Sequence, residues 1–212
     1  MSFSCTQCQR LVQFLTEVKQ LNPTYFCQPV PSFGDMNAQL LIVGLAPGMH
    51  GANRSGRPFT GDYAGELLYQ TLYDFNFSNL NQSVSSQDSL RLTNVRITNA
   101  VKCLPPQNKP LPDEIKRCNQ YLAQEIRSLT SLKVILALGK IAHEAVLRVF
   151  NKKNSAHPFK HGSVYLLEDT YILISSYHCS RYNTQTRRLT KDMFQHIFND
   201  IAGHLSKSDE HF

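Results

Sequence analysis

The chain has 212 residues, of which 42% are hydrophobic and 18% charged, which is ordinary for a globular protein with one sizeable core. Its 22 Lys and Arg against 16 Asp and Glu give a net charge of +6, which favours a polyanionic partner such as nucleic acid. The apolar runs are too short to span a bilayer, and the first ten residues lack the apolar core of a secretion signal. We therefore expect an intracellular, cytoplasmic monomer, folded as a single domain over residues 1–212, with no membrane partner and with reduced cysteines.

Hydrophobic patterning predicts strands that alternate with helices along the chain. In chain order we predict helix 6–20, strand 40–44, a glycine-rich loop, helix 63–73, a polar surface loop at 76–90, strand 95–101, helix 113–129, strand 134–138, helix 139–150, strands 164–167 and 171–175, a loop at 176–186 and helix 189–205. This order predicts an α/β fold with three layers, α/β/α, around a mostly parallel central sheet. In such sheets the functional loops lie at the carboxyl ends of the strands.

Four cysteines are spaced as ligands of one metal centre. Cys5 and Cys8 form a C-x2-C pair at the start of the first helix, Cys103 follows the second strand, and Cys118 lies in the next helix. Four thiolates can hold a zinc ion or a 4Fe–4S cluster, and the wide gap within the second pair favours the cluster. Buried free thiols are the alternative. A cluster held by four protein ligands would be structural and would tie the N-terminal helix to the sheet.

The loop that follows the first strand, residues 44–62, is rich in glycine and polar residues. Glycine lets a backbone approach a ligand closely and exposes N–H groups to it. Neither the P-loop spacing nor the dinucleotide-binding spacing is present. We therefore expect Gly44, Ala46 and Gly48 to contact a substrate, with a merely flexible surface loop as the alternative.

Polar residues also follow two further strands. Asn99 lies at the end of the second strand, and His178 and Ser180 lie in the loop after the last strand. Because the carboxyl ends of parallel strands meet at one edge of a sheet, we expect these residues to lie near the glycine-rich loop. A turn-forming asparagine and a structural histidine are the alternatives.

Taken together, these motifs resemble one family, the iron–sulfur uracil-DNA glycosylases of family five, or type b. The matching segments are GLAPG at 44–48, HG at 50–51, GRPFTGD at 56–62, ITNAVKC at 97–103, the segment up to residue 118, LG at 138–139 and the segment 178–190. The resemblance implies a uracil-glycosylase-type α/β/α fold with a 4Fe–4S cluster on the four cysteines. It also implies hydrolysis of the N-glycosidic bond of uracil in DNA, with water as nucleophile and with hypoxanthine and other deaminated bases as further substrates.

The resemblance implies roles for individual residues in the reaction. Phe59 would stack on the extruded base, Asn99 would bind the edge of the base, and His178 would contact it. Asp62 has two possible roles that we rate equal. It is either a carboxylate that stabilises the sugar cation or positions water, or the N-cap of the helix that starts at residue 63.

Three positions bear on how closely the family pattern is kept. Cys179 replaces the proline that usually follows His178, Arg187 replaces a glycine, and Met49 stands where other families carry a polar residue. The residues expected to contact DNA are Arg57, Arg181, Asn183 and Arg187. Two alternatives remain open: a non-catalytic iron–sulfur DNA-binding protein of the same fold, and an enzyme of nucleotide metabolism.

Overall fold

The computed structural model describes residues 5–206 and contains a six-stranded sheet with helices on both faces. In chain order the elements are α1 (Gln9–Leu21), β1 (Phe33–Gly34), β2 (Leu40–Gly44), α2 (Ala52–Ser55), α3 (Tyr63–Asp74), β3 (Val95–Asn99), a 3-10 turn (Pro106–Asn108), α4 (Pro112–Ser128), β4 (Val134–Leu138), α5 (Lys140–Val149), β5 (Val164–Leu167), β6 (Tyr171–Ser176), α6 (Arg181–Gln185) and α7 (Lys191–Ser206).

The sheet has the strand order β1-β3-β2-β4-β6-β5. Its four central strands are parallel, and the two edge strands pair antiparallel with their neighbours. Every residue of β2 and of β4 is buried, because both faces of these central strands are covered. The predicted three-layer α/β/α class with a mostly parallel sheet is therefore confirmed.

Two apolar cores lie on opposite faces of the sheet. Helices α3 and α7 form one layer and contribute Leu68 and Phe198 to the first core. Helices α4 and α5 form the other layer and contribute Leu122 and Val146 to the second core. Along β2, even-numbered residues face the first core and odd-numbered residues the second, as the two-residue period of a strand requires. Within residues 5–206, no helix combines the length and apolarity needed to cross a bilayer.

A third, smaller core attaches the N-terminal helix to the rest of the chain. Leu11 and Leu15 of α1 pack against Val101 and Leu104, which follow β3. Helix α1 therefore lies beside the carboxyl end of β3. This brings Cys8, at the start of α1, into the same small core as Cys103, which follows β3.

Three short elements differ from the prediction, because each is too short to show a period. They are β1 with 2 residues, α2 with 4 and α6 with 5. The segment 76–90 also differs from the expected polar surface loop, since Phe77 and Leu90 are buried in the first core. Two apolar residues in an otherwise polar stretch are too few to predict this anchoring.

Candidate active site

A cavity of about 360 Å³ opens at the carboxyl ends of β2, β3 and β6. The segments that follow these three strands meet there, as the sequence predicted. The cavity is lined by Leu45, Ala46, Gly48, Ala52, Phe59, Asp62, Ala64, Asn99, Asn108, His178 and Ser180. Its volume is within the range of small-molecule sites, and its wall combines apolar surface with a few polar groups.

Phe59 contributes an aromatic face to this cavity from a constrained backbone. Its φ is +52°, a left-handed conformation that costs a non-glycine residue about 1–2 kcal/mol. The hydroxyl of Tyr69 donates to the carbonyl of Pro58 at 2.9 Å. A side chain at position 65 would collide with the Phe59 carbonyl, so Gly65 is required for the close approach of α3. The neighbouring contacts thus hold the ring in place.

Asn99 presents a free amide to the cavity. The residue is only 3% exposed, and within residues 5–206 its side chain makes no hydrogen bond to protein. Gly44 was predicted to contact the substrate, but it does not line the cavity. It lies behind the side chains of Asn99 and Phe59. A Cβ at Gly44 would collide with Asn99 Oδ1 and would lie 2.7 Å from Phe59 Cζ. Glycine at this position therefore makes room for the two substrate-facing side chains.

His178 contributes a neutral imidazole to the cavity, next to Phe59. Its ring stacks on that of Phe59, with centroids 5.9 Å apart and planes inclined by 26°. Although part of the residue remains accessible from the cavity, burial lowers the pKa of His178 to about 4, because enclosure by protein disfavours the charged form. Within the described chain, neither ring nitrogen has a hydrogen-bond partner, so both are free for a ligand.

The structure shows one of the two roles that the sequence left open for Asp62, that of a helix N-cap. Its Oδ1 accepts a hydrogen bond from the Gly65 backbone N–H at 3.0 Å, which makes it the N-cap of α3. Its Oδ2 lies at the cavity wall, 3.4 Å from where a Cβ at Gly48 would stand, and a Cβ at Gly51 would collide with it. Burial raises the pKa of this carboxyl, and backbone hydrogen bonds from Gly65 and Ala64 oppose the rise. One oxygen caps the helix while the other remains available to a ligand.

Comparison with known proteins identifies the family to which this site belongs. The model of the uracil DNA glycosylase superfamily matches residues 31–202. This chain is a member of that superfamily.

Several relatives of this superfamily member are similar over most of its length. The Type-5 uracil-DNA glycosylase of Thermus thermophilus is 46% identical over 199 residues, which cover 92% of this chain and 90% of the relative. That of Pyrobaculum aerophilum is 38% identical, with 94% of this chain and 88% of the relative covered. The Type-4 uracil-DNA glycosylase of Archaeoglobus fulgidus is 32% identical, over 66% of this chain and 62% of the relative.

Arg57 is the clearest departure from the expected DNA contacts of this superfamily member. The residue is 6% exposed, and its guanidinium donates to Asp88 Oδ1 at 2.5 Å and to Ser83 Oγ at 3.1 Å. It also lies 4.4 Å from the centroid of the Phe33 ring. The prediction that Arg57 contacts a phosphate is corrected: this arginine anchors the segment after α3 to the glycine-rich loop.

Asn183 also faces inward. Its side-chain N–H donates to the carbonyl of His178 at 2.8 Å, so it supports the His178 loop. Ser180 caps α6 and lines the cavity, as predicted for a substrate-side residue. Arg181 and Arg187 are exposed, and Arg181 lies 5.9 Å from the centroid of the Tyr63 ring.

The sequence analysis singled out Met49 but missed Asn108 as a residue of the cavity. Met49 packs into the third core beside α1 and does not line the cavity. Asn108 lines the cavity although it belongs to the proline-rich segment before α4, which follows no strand end directly. Its only sequence signal was an asparagine after two prolines, which is equally typical of a turn.

The four predicted cysteine ligands, Cys5, Cys8, Cys103 and Cys118, line one small cavity between α1, α4 and the segment after β3. Burial, followed by the neighbouring cysteines, raises the pKa of Cys103 to about 12. The backbone N–H of Lys102 donates to Cys118 Sγ at 3.3 Å. Within residues 5–206, no three or more His, Cys, Asp or Glu side chains are arranged around the position of a single metal ion.

Proposed function

We propose that this chain is a monofunctional uracil-DNA glycosylase that hydrolyses the N-glycosidic bond of uracil in DNA and so begins base excision repair. The observation that carries the proposal is the shared cavity of Phe59, Asn99 and His178. It offers an aromatic face, a free amide and a neutral imidazole to a ligand of nucleobase size. The names of the relatives, Type-5 uracil-DNA glycosylases, point to the same reaction.

Recognition of the base begins with its extrusion from the duplex, which costs a few kcal/mol. Stacking of the base on Phe59 recovers roughly 1–3 kcal/mol and is insensitive to base identity. The Asn99 amide then donates to uracil O4 and accepts from N3–H. Within the described chain no protein group holds this amide in one orientation, so the amide alone does not distinguish uracil from cytosine.

His178 stabilises the departing base as a neutral donor. Breaking the glycosidic bond develops negative charge on the base, and a preorganised hydrogen bond to O2 stabilises that charge. The Phe59 and His178 ring centroids are 5.9 Å apart, less than the roughly 7 Å that two stacking separations require. The base therefore does not lie between the rings, and His178 meets it at the edge, where O2 lies.

Asp62 acts on the sugar side of the bond. Its Oδ2 lies at the cavity wall and carries the negative charge that stabilises the developing sugar cation or orients the attacking water. Met49 is packed away from the cavity, so the position after Pro-Gly contributes no polar group to the water. Asp62 is the acidic residue among the side chains that line the cavity.

We also propose a 4Fe–4S cluster on Cys5, Cys8, Cys103 and Cys118. Each cysteine of such a cluster binds a different iron, so the four sulfurs need not lie within bonding distance of a single metal ion. The four thiols share one cavity, and a cationic centre would offset the unfavourable burial of their thiolates. When bound, the cluster supplies a structural link between α1, α4 and the segment after β3.

The remaining parts of the proposal concern the range of substrates and the surroundings of the protein. We propose that hypoxanthine and other deaminated bases are further substrates and that exposed Arg181 and Arg187 contact DNA phosphates. We propose that the protein acts as a monomer on nucleoid DNA in a reducing cytoplasm, where its cysteines would not form disulfides.

The direct test is an excision assay followed by alkali cleavage. Oligonucleotides carry uracil, hypoxanthine, xanthine or thymine opposite each normal base. We expect cleavage at uracil, and we expect His178→Ala and Asn99→Ala to slow it at least a hundredfold. The matched control His196→Ala, on the exposed face of α7, should leave the rate unchanged.

Three outcomes would contradict the proposal. Binding to uracil-containing duplex without any abasic product would favour the non-catalytic DNA-binding protein. Turnover of free nucleotides with none on DNA would favour an enzyme of nucleotide metabolism. Near-normal rates in both active-site variants would overturn the assignment of the site.

A further inference from the structure

The imidazole of His178 depends on its backbone for its position. Within residues 5–206 the ring makes no hydrogen bond to protein. On the C-terminal side of the residue, Asn183 donates to the His178 carbonyl at 2.8 Å. On the N-terminal side, β6 ends at Ser176, so the N–H of Tyr177 lies beyond the last paired residue of the strand. The start of the His178 loop is therefore fixed only if this N–H finds a partner outside the sheet.

The side chain of His161 supplies that partner. The Tyr177 N–H donates to His161 Nδ1 at 3.2 Å. Because a backbone N–H can only donate, Nδ1 is the unprotonated nitrogen of a neutral imidazole, whose proton is on Nε2. Burial lowers the pKa of His161 and so favours the neutral form, although a backbone hydrogen bond with Met193 opposes the fall.

His161 is itself held firmly beside the end of β6. Its ring stacks on that of Tyr177, with centroids 5.0 Å apart and planes inclined by 18°. The Gly162 N–H donates to the Ser175 carbonyl at 2.8 Å, and the Ser175 N–H donates to the Ser163 carbonyl at 3.0 Å. These two bonds continue the pairing of β5 with β6 towards the carboxyl end of β6. The acceptor for Tyr177 thus belongs to an anchored segment of the chain.

We propose that His161 is a positioning residue for the reaction, whose Nδ1 holds the Tyr177 peptide and thereby places the His178 imidazole against the departing base. The inference rests on the proposed glycosylase function. His161 does not line the active-site cavity, so it acts through His178 and not on the substrate. Misplacement of a reacting group by about 1 Å can slow a reaction roughly a hundredfold. Loss of this hydrogen bond should therefore be visible in the chemical step.

Two substitutions separate the hydrogen bond from the ring stack. His161→Phe keeps an aromatic ring on Tyr177 and removes the acceptor, whereas His161→Asn removes the ring and keeps an acceptor oxygen near the position of Nδ1. We expect His161→Phe to lower the single-turnover rate of uracil release about tenfold and His161→Asn to lower it by no more than about threefold. The Kd for uracil-containing duplex should not change in either variant. A role in packing alone would give the opposite order of rates.

A matched control and a double substitution complete the test. His157→Phe makes the same change in the same segment between α5 and β5, where the ring contacts Tyr165 instead of Tyr177, and it should leave the rate unchanged. His161→Phe is then combined with His178→Ala. A residue that acts through His178 has little further effect once the imidazole is gone, so the two losses should not add. Urea unfolding of each variant shows whether the fold is retained.

Hydrogen exchange at the Tyr177 amide tests the contact without reference to activity. Exchange should be slow in the unsubstituted protein and in His161→Asn, and fast in His161→Phe. A normal rate of uracil release in His161→Phe, or fully additive losses with His178→Ala, would overturn the inference. If the unsubstituted protein releases no uracil, the proposed function itself fails, and exchange at Tyr177 shows whether the His161 contact exists independently of it.

Discussion

The two oxygens of the Asp62 carboxylate have different surroundings, one at a helix end and one at the cavity wall. Oδ1 accepts from the Gly65 N–H at the start of α3, and Oδ2 lies against Gly48 and Gly51 at the cavity wall. A cap needs only a hydrogen-bond acceptor, whereas stabilisation of a sugar cation needs a negative charge. The two roles can therefore be separated by a substitution that removes the charge and keeps the acceptor.

Asp62→Asn is that substitution, since asparagine is about as good an N-cap as aspartate. We expect the free energy of unfolding to change by no more than about 0.5 kcal/mol and the single-turnover rate of uracil release to fall at least tenfold. Asp62→Ala serves as the control for the cap and should lower the stability by about 1 kcal/mol. Full activity of the Asn variant would show that Asp62 is a cap and nothing more.

His178 gives a second prediction at the residue scale, through the pH dependence of the rate. Burial lowers the pKa of His178 to about 4, so the imidazole is neutral from pH 6 to pH 8. We expect single-turnover release of uracil to be independent of pH in this interval. On the acid side the rate should fall as Asp62, whose pKa is raised by burial, takes up a proton. A rate that decreases as the pH rises through 6.5 would instead indicate a required imidazolium.

Helix α6 and the segments on either side of it hold the loop that carries His178. Asn183 donates to the His178 carbonyl at 2.8 Å, and its own carbonyl accepts from the Leu189 N–H at 3.0 Å. Cys179, which stands where the family pattern has proline, is fully buried in the first core. Hydrogen bonds and burial therefore constrain this loop without the proline ring.

Arg187 lies in the same segment with a φ of +56°, a conformation that favours glycine. We expect Arg187→Gly to be about 1 kcal/mol more stable than Arg187→Ala in urea unfolding, because alanine keeps the left-handed strain. Both variants lose one exposed cation, so both should reduce the slope of log K against log salt for DNA by the same amount. Equal stability of the two variants would contradict the backbone argument, and an unchanged slope would contradict a phosphate contact.

On the scale of the whole molecule, helix α1 is joined to the sheet by few contacts. Its apolar face packs into the third core, and Arg10 pairs with Glu114 of α4 at 2.7 Å. The cavity of the four cysteines lies directly between α1 and α4. A metal centre there would add a covalent link between α1, α4 and the segment after β3.

Substitution of one proposed ligand tests this link. We expect the purified protein to be brown and to absorb near 400 nm, and Cys103→Ser to lose both the colour and the bound iron. Thermal unfolding of that variant should begin at a lower temperature. The matched control Cys27→Ser changes a buried cysteine that does not line the four-cysteine cavity and should stay brown. Colourless wild-type protein with stoichiometric zinc would refute the cluster.

The order of layers and the position of the cavity followed from the sequence, because apolar periodicity and strand-end motifs are local. Strands β2 and β4 are continuous apolar runs, and Asn99 and His178 stand where such strands end. These features depend on neighbours along the chain, which the sequence displays directly.

The partners of individual polar groups depended on packing between distant segments. Arg57 lies in a motif that suggested DNA, yet it pairs with Asp88, 31 positions away, after α3 has returned the chain to the glycine-rich loop. Asn108 lines the cavity, and the residue after it accepts a hydrogen bond from Arg10 of α1, about a hundred positions earlier in the chain. A side chain takes the partner that folding brings nearest, and residues that are far apart in sequence contain no local pattern from which that distance can be predicted.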